Sequence, residues 1–337
     1  MALKISQWCG FSSTVAELAS FVTAADMGID VVNISFGGYL DPADPESAVA
    51  FQAYAEAIAY ARSKGTLIVG SAGNAHVGIG ADGRSTSHGQ LTTLGTALED
   101  FVDLFGWYRV PTGPPGALVV SATGNRVVAP SATCPPGTEG TVDDPNATCK
   151  PASDPHQPFG VGKRDQLAYY SNYGARVDVA APGGARKFNL GAYDRGGTPG
   201  FPYTADDLTN AWQTFSTTSN WAVEIPCFTF TRGSGFPQGQ CYSTIQGTSM
   251  AAPHATAAVA LIASAHRSLR HRPGALVARL KATARSVGNR TPPLSATDTS
   301  PGDLTGDPCP TGFCHLGGAP ISNRNAYGAG LAYVANP

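Results

Sequence analysis

The sequence predicts an α/β fold in which a mostly parallel sheet carries helices on both faces. The first observation behind this fold class is that segments with apolar residues at helical spacing alternate along the chain with short β-branched runs. The second is that these runs are apolar at nearly every position, which is typical of strands covered on both faces. With 42% hydrophobic residues in a chain of 337, the protein can bury a large core.

The elements follow one another in a regular order. The first helix is expected in "SSTVAELASFVTAADMG", with Ser12 or Ser13 as its N-cap and Gly28 as its stop. A strand in "IDVVNISF", a helix in "PESAVAFQAYAEAIAYARSKG" and a strand in "TLIVGSAGN" come next. Two further strands are expected at 117–124 and 176–183, and two further helices at 249–267 and 273–284.

Three stretches fit no regular element, namely 76–115, 130–166 and 184–244. We interpret them as insertions in one domain that spans residues 1–337, although one of them could be a small separate domain. Three cysteine pairs lie in Pro/Gly-rich sequence: Cys134 with Cys149, Cys227 with Cys241, and Cys309 with Cys314. Their spacing favours disulfides in an oxidising compartment over metal binding, with reduced thiols as the alternative and Cys9 left over.

The second of these pairs suggests a local structure. The segment from "WAVEIPCFTF" to "GQCYSTIQ" is expected to form a β-hairpin closed by the Cys227–Cys241 disulfide.

Composition also excludes some partners. Lys and Arg total 22 against 24 for Asp and Glu, so no overall field favours nucleic acid or an anionic membrane. The longest apolar run, "ATAAVALIASA", is shorter than the ~20 residues that a membrane span needs.

No cofactor is expected, because "GIGADG" lacks the strand and helix context of a dinucleotide site. Structural calcium in "DTSPGDLTGD" is conceivable, but that stretch lacks EF-hand spacing.

One predicted helix start places a serine hydroxyl beside free backbone amides. In "QGTSMAAPH", Gly247 permits an unusual turn and Ser249 falls where a helix begins, so free backbone amides would face its hydroxyl. Such a position favours developing negative charge, although a serine there is more often a cap. Pro253 is expected in the first turn, and the alanine-rich remainder is apolar nearly all round, which predicts a buried helix.

These residues carry a resemblance. "GTSMAAPH" resembles the active-site serine signature of the subtilisin-like serine peptidases, the subtilases. "VVNISFGG", "VGSAGN", "YYSNYGARVDVAAPG" and "YGAGLAYVANP" resemble further segments of that family, in its order. The resemblance implies a three-layer subtilisin-like fold and a serine endopeptidase that cleaves extended polypeptides. It also implies that Ser249 is the nucleophile and that Asn74 donates to the oxyanion.

The same resemblance assigns the substrate cleft. Ser35, Phe36, Gly37 and Gly38 would line it, with the two glycines letting an extended peptide approach as an added strand. Ala72 and Gly73 would form a wall of the pocket for the residue before the scissile bond.

The base and acid of the triad are harder to find. In this family Asp and His precede Ser in the chain, but the residues before Val31 contain only Asp26 and Asp30 and no histidine. We therefore expect an N-terminally incomplete domain that is inactive alone, from an exported parent protein that would supply the missing segment. The opening residues do not resemble a signal peptide.

Two other functions remain open. The chain could be a pseudoprotease that binds peptides without cleaving them. It could also be an active hydrolase that uses His76 or His88 as an alternative base.

Overall fold

The structure is a computed structural model that describes residues 1–6, 12–87, 103–124, 165, 167–168, 171–184, 247–287 and 321–334. It also gives the backbone of the short strands at 90–91, 102–103, 211–215, 228–229 and 241–245. The helices of this part of the chain are α1 (Thr14–Asp26), α2 (Pro45–Ser63), α3 (Thr248–Ala265), α4 (Pro273–Thr283) and α5 (Asn323–Tyr327).

The strands are numbered in chain order. They are β1 (Val31–Ile34), β2 (Gly38–Leu40), β3 (Leu67–Ser71), β4 (Gln90–Leu91), β5 (Val102–Asp103), β6 (Tyr108–Val110), β7 (Leu118–Thr123), β8 (Val179–Pro182), β9 (Ala211–Phe215), β10 (Phe228–Thr229) and β11 (Cys241–Ile245).

The centre of the fold is a parallel four-stranded sheet with the order β1-β3-β7-β8. Val32 pairs with Ile68, and Val69 pairs with Leu118. All five residues of β3 are buried, as expected for a strand covered on both faces. The connection from β1 to β3 contains α2, which acts as the crossover between these two parallel strands.

The two faces of this sheet are covered by different helices. Leu67 and Val69 pack in a core with residues of α3 and α4, whereas Ile68 packs with α1 and α2. This alternation follows from the two-residue period of a strand. The result is three layers, so the predicted α/β class is confirmed.

Local sequence signals explain where α1 and α2 begin and end. The Ser13 hydroxyl accepts a hydrogen bond of 3.2 Å from the Ala16 amide, as a predicted N-cap should. The Asp44 carboxylate does the same for the Glu46 amide at 3.0 Å. Gly28 follows α1 with a φ of +67°, a backbone conformation that a residue with a Cβ rarely adopts.

Helix α3 corrects two expectations. It begins at Thr248, so Pro253 is its sixth residue and lies beyond the first turn. Proline there has no N–H to donate to the Ser249 carbonyl, four residues back. The helix is also not buried all round, because Leu261 is 53% exposed while Ile262 is 1% exposed. Alanine is compatible with either surface, which is why the apolar composition gave the wrong prediction.

The insertions are described only in part. The predicted hairpin is present as backbone, since Phe228 pairs with Tyr242 in an antiparallel ladder and β9 pairs along the other edge of β11. The side chains of the seven cysteines, and with them the predicted disulfides, lie outside what the structure describes. In the first insertion, β6 pairs with β2 in an antiparallel ladder.

Candidate active site

Ser249 is the second residue of α3 and lies at the carboxyl-end edge of the parallel sheet. It is half-buried, and its hydroxyl donates a hydrogen bond of 3.0 Å to the carbonyl of Ser35, just after β1. The helix start is fixed to the sheet, because the Gly247 amide donates to the Gly183 carbonyl after β8 at 2.9 Å. Ser249 therefore sits where two strand ends and a helix N-terminus meet.

Asn74 lies beside this helix start. Its side-chain oxygen accepts hydrogen bonds from the Thr248 amide at 2.9 Å and from the Thr248 hydroxyl at 2.8 Å. Because both bonds use the oxygen, the amide orientation is determined by the hydrogen-bond network, and Nδ2 is the donor end. Nδ2 lies 3.5 Å from the position that a Cβ on Gly247 would take. The Asn74 donor thus flanks the start of α3.

Thr248 connects these groups, although its sequence context indicated no role for it. Its side chain is fully buried, and its hydroxyl accepts a hydrogen bond of 3.1 Å from the Gly73 amide while donating to Asn74. Thr248 thereby holds the end of the β3 segment against the start of α3. Its place within the serine motif was the only signal in the sequence.

The segment after β1 contains the four residues assigned to the cleft. The Ser35 carbonyl accepts the Ser249 hydroxyl, and Phe36 is 38% exposed. A Cβ on Gly37 would lie 2.2 Å from the Val110 carbonyl, so this glycine is required by a close approach within the chain itself. A Cβ on Gly38 would have nothing within 4 Å, which leaves open space on that side.

Ala72 and Gly73, the predicted wall of the pocket, are held by hydrogen bonds from buried side chains. The Ala72 carbonyl accepts hydrogen bonds from Arg109 Nε at 2.9 Å and from Asn172 Nδ2 at 2.8 Å. Asn172 Nδ2 also donates to the Tyr39 hydroxyl at 2.6 Å. Gly73 has a φ of +109°, and a Cβ there would lie 2.5 Å from Asn172 Nδ2, so no larger residue fits.

Arg109, Asn172 and Tyr39 were not predicted from the sequence. Arg109 occurs as a single arginine in "WYRVP", and only the fold brings it behind Ala72. Burial lowers the pKa of the Arg109 guanidinium and raises the pKa of the Tyr39 hydroxyl. The Ala72 segment is thus held by buried polar groups in a low-dielectric environment.

Comparison with known proteins is consistent with this arrangement. The model of the subtilase family matches residues 2–305. The chain belongs to the subtilase family. The family is one of serine peptidases. No curated protein matches the sequence of this subtilase.

Solved structures with the same fold include the epidermin leader peptide processing serine protease from Staphylococcus aureus, at 18% identity and a TM-score of 0.50. That alignment covers 98% of this subtilase and 55% of the other chain. A lanthipeptide protease is 19% identical, with a TM-score of 0.49, 85% of this chain covered and 63% of its own. This subtilase therefore spans between about half and two-thirds of the length of these proteins.

Among the residues that the structure describes, the Ser249 hydroxyl has no hydrogen bond to a histidine. His254 is on α3, and its Nδ1 is 2.7 Å from the Met250 carbonyl. His76 is buried, with its ring centre 5.3 Å from that of Tyr173. His266 follows the far end of α3, about 25 Å along its axis from Ser249.

Neither early aspartate reaches the site either. Asp30 precedes β1 and forms an ion pair with Arg270 at 2.9 Å, whereas Ser35 follows the other end of that strand. Five residues of extended chain separate Asp30 from Ser35 by roughly 15 Å. Asp26 accepts a hydrogen bond from the Tyr60 hydroxyl. These carboxylates serve the packing of the opposite sheet edge and of α1 on α2.

Metal binding and membrane insertion have no support in the same part of the chain. Among the described residues, no group of three or more His, Cys, Asp or Glu side chains could hold a metal ion. The stretch "DTSPGDLTGD" lies outside those residues. No described helix combines the length and apolar character that crossing a membrane requires.

Proposed function

We propose that this subtilase hydrolyses peptide bonds through an acyl-enzyme on Ser249, with Asn74 donating to the oxyanion. The observation that carries the proposal is the way Asn74 is held. Both Thr248 donors bind its oxygen, which commits Nδ2 to act as a donor beside the helix start that carries Ser249. An oxyanion donor must be fixed before the reaction, because a donor that reorients gives little stabilisation.

The helix start supports the same chemistry. The first amides of α3 and the positive end of its dipole favour negative charge near Ser249. Attack of the Ser249 oxygen on the scissile carbonyl, with the hydroxyl proton passing to a general base, would place that charge on the carbonyl oxygen. Collapse of the intermediate would break the C–N bond and deliver the proton to the leaving amine, and water would then release the acyl group from Ser249. In subtilisin, another member of the family, loss of the oxyanion asparagine lowers kcat by about 10²–10³.

We further propose that an extended polypeptide binds along Ser35–Gly38. The support is the exposed ring of Phe36 and the open space beside Gly38. An added peptide strand would gain backbone hydrogen bonds along this segment, and side chains would enter pockets on alternate sides. Ala72 and Gly73 would then contact the residue before the scissile bond.

The general base needs a separate proposal. Within the described residues, the Ser249 hydroxyl is bonded to the Ser35 carbonyl, which cannot take up its proton. We infer that a histidine and an aspartate from a polypeptide segment outside residues 1–337 complete the triad. A serine hydroxyl without a base is a poor nucleophile at neutral pH, so residues 1–337 alone are expected to be inactive.

A second candidate function is peptide binding without cleavage. It is favoured by the same bond between Ser249 and Ser35, which satisfies the hydroxyl in a resting position. A pseudoprotease of this kind would keep the cleft and lose the chemistry.

The decisive experiment is labelling of residues 1–337 with a fluorophosphonate between pH 6 and 10, with and without added imidazole as a diffusible base. We expect negligible labelling alone, an increase with imidazole, and none in Ser249→Ala. Imidazole-independent labelling would assign the base to this chain, with His76 and His88 as the variants to test. A folded chain that binds peptides but is never labelled would establish the pseudoprotease.

Export and disulfides are proposed on the cysteine spacing alone. Non-reducing peptide mapping should then recover Cys134 with Cys149, Cys227 with Cys241, and Cys309 with Cys314. Complete alkylation of all seven thiols without reduction would refute the pairing.

A further inference from the structure

Arg109 is a buried cation in contact with both sides of the proposed cleft. The residue is 3% exposed. Its Nη1 donates to the Gly38 carbonyl at 3.0 Å and to the Val110 carbonyl, its Nε donates to Ala72, and its Nη2 donates to Ser71 at 3.2 Å. One guanidinium therefore links the segment after β1 to the segment after β3.

Two glycines, one in each segment, show where the Arg109 guanidinium lies. A Cβ on Gly37 would lie 2.4 Å from Arg109 Nη1, and a Cβ on Gly73 would lie 2.9 Å from Arg109 Nε. The guanidinium thus occupies the space directly between the two glycine-bearing walls. A substrate pocket between those two segments would end on this cation, and its floor would be positively charged.

One N–H donor of Arg109 has no hydrogen-bond partner among the described residues. A guanidinium has five N–H bonds, and four of them point to backbone carbonyls. The fifth, on Nη2, has no partner within the portion of the chain that the structure describes. A buried donor without a partner is costly, so a ligand that supplied an acceptor there would gain free energy.

The charge is also poorly compensated. In the described residues no carboxylate lies within 4 Å of Arg109, whereas Arg176, whose side chain is 10% exposed, forms an ion pair of 3.3 Å with Asp178. Glu17 attracts Arg109 from farther away, but its carboxylate accepts a hydrogen bond from the Tyr54 hydroxyl at 2.8 Å. An unpaired buried cation favours an anion more strongly than a neutral acceptor.

We propose that Arg109 is a specificity-determining residue that selects an acidic side chain, aspartate or glutamate, on the residue before the scissile bond. The inference rests on the proposed function, because it uses Ala72 and Gly73 as the wall of that pocket. The carboxylate would accept the free Nη2 hydrogen and would neutralise the buried charge. A lysine or arginine in the same place would be repelled.

Product-like peptides test this on residues 1–337 without requiring cleavage. Fluorescein-labelled Ala-Ala-Pro-Asp, Ala-Ala-Pro-Asn, Ala-Ala-Pro-Lys and the charge-matched isomer Ala-Asp-Pro-Ala are titrated by fluorescence anisotropy. We expect the first peptide to bind about tenfold more tightly than its asparagine analogue or its isomer, the ratio typical of one charge-assisted hydrogen bond. The isomer removes any effect of net peptide charge.

Three variants assign the preference to the residue. Arg109→Gln should reduce the ratio to about one, Arg109→Lys should keep part of it, and the matched buried arginine variant Arg176→Gln should keep all of it. Each variant is checked for a cooperative thermal transition first. If Arg109 were only a structural link, its variants would lower the melting temperature and leave the ratio unchanged.

The outcomes separate the two proposals. Tight binding of all four peptides with no preference overturns the role of Arg109 and leaves the cleft intact. Failure of folded wild-type protein to bind any of them overturns the cleft, and the inference with it. An aspartate preference that persists in folded Arg109→Gln places the responsible charge elsewhere and also overturns the assignment.

Discussion

Replacing Thr248 by valine should destabilise the protein through two hydrogen bonds at once. The substitution keeps the shape of a fully buried side chain but removes the hydroxyl that accepts from the Gly73 amide and donates to Asn74. The Gly73 amide is buried and would be left without a partner. Asn74 would keep its bond from the Thr248 backbone amide and lose the one from the side chain.

The size of the effect follows from these two losses. An unsatisfied buried amide costs about 1–3 kcal/mol, and an ordinary hydrogen bond contributes about 0.5–1.5 kcal/mol. The methyl group gained offsets roughly 0.8 kcal/mol. We therefore expect the free energy of unfolding to fall by about 2 kcal/mol, within a range of about 1–4 kcal/mol.

Thr248→Ser is the matched control, because it keeps the hydroxyl and loses one methyl group, at about 0.8 kcal/mol. Urea unfolding of wild type and both variants, followed by circular dichroism, measures the difference. A valine variant at least as stable as the serine variant would show that the hydroxyl does not hold the two segments together.

Three further predictions concern other parts of the fold. Gly73→Ala should lower the free energy of unfolding by more than about 2 kcal/mol, because the added Cβ clashes with its neighbours and the backbone has a positive φ. Gly28→Ala should lower it by only about 1 kcal/mol, because φ is positive there too but a Cβ would have nothing within 4 Å. Urea titrations of the two variants compare these losses. Burial raises the pKa of the Glu17 carboxyl in the folded protein. The contribution of Glu17 to the free energy of unfolding is therefore complete below the ordinary glutamate pKa and is lost as the pH rises through the raised value. Thermal melts from pH 4 to 8 should show a weaker pH dependence for Glu17→Gln than for the wild type. In α3, Ile262→Ala should lower the free energy of unfolding by about 2–4 kcal/mol because Ile262 is buried, and Leu261→Ala should lower it by under about 0.5 kcal/mol because Leu261 is exposed. Equal losses would contradict the observed exposure of the two side chains.

Much of the fold could be predicted because its signals are local. Helix α1 begins after Ser13 and ends before Gly28, since a side-chain cap and a glycine stop act on neighbouring residues. The continuous apolar runs became β1, β3, β7 and β8, in parallel order. Where composition was ambiguous the prediction was wrong, as with Leu261, because alanine does not distinguish a buried helix face from an exposed one.

The residues of the candidate site were likewise predictable from the sequence only in part. The sequence placed Ser249 at a helix start and Asn74 after a strand, and the structure brings both to one edge of the sheet. Thr248, Arg109 and Asn172 had no comparable signal. Their hydrogen bonds reach partners far away in the chain, such as Gly73, which lies 175 residues before Thr248. No short window of sequence contains both ends of such a bond.

By itself, the sequence determined the elements, their order and the family, because periodicity, caps and the serine motif are each readable within a few residues. Only the tertiary structure decided how the end of β3 is held against α3 and that a cation links the segment after β1 to the segment after β3. Those features depend on burial, which removes water and leaves each polar group dependent on partners that the fold supplies.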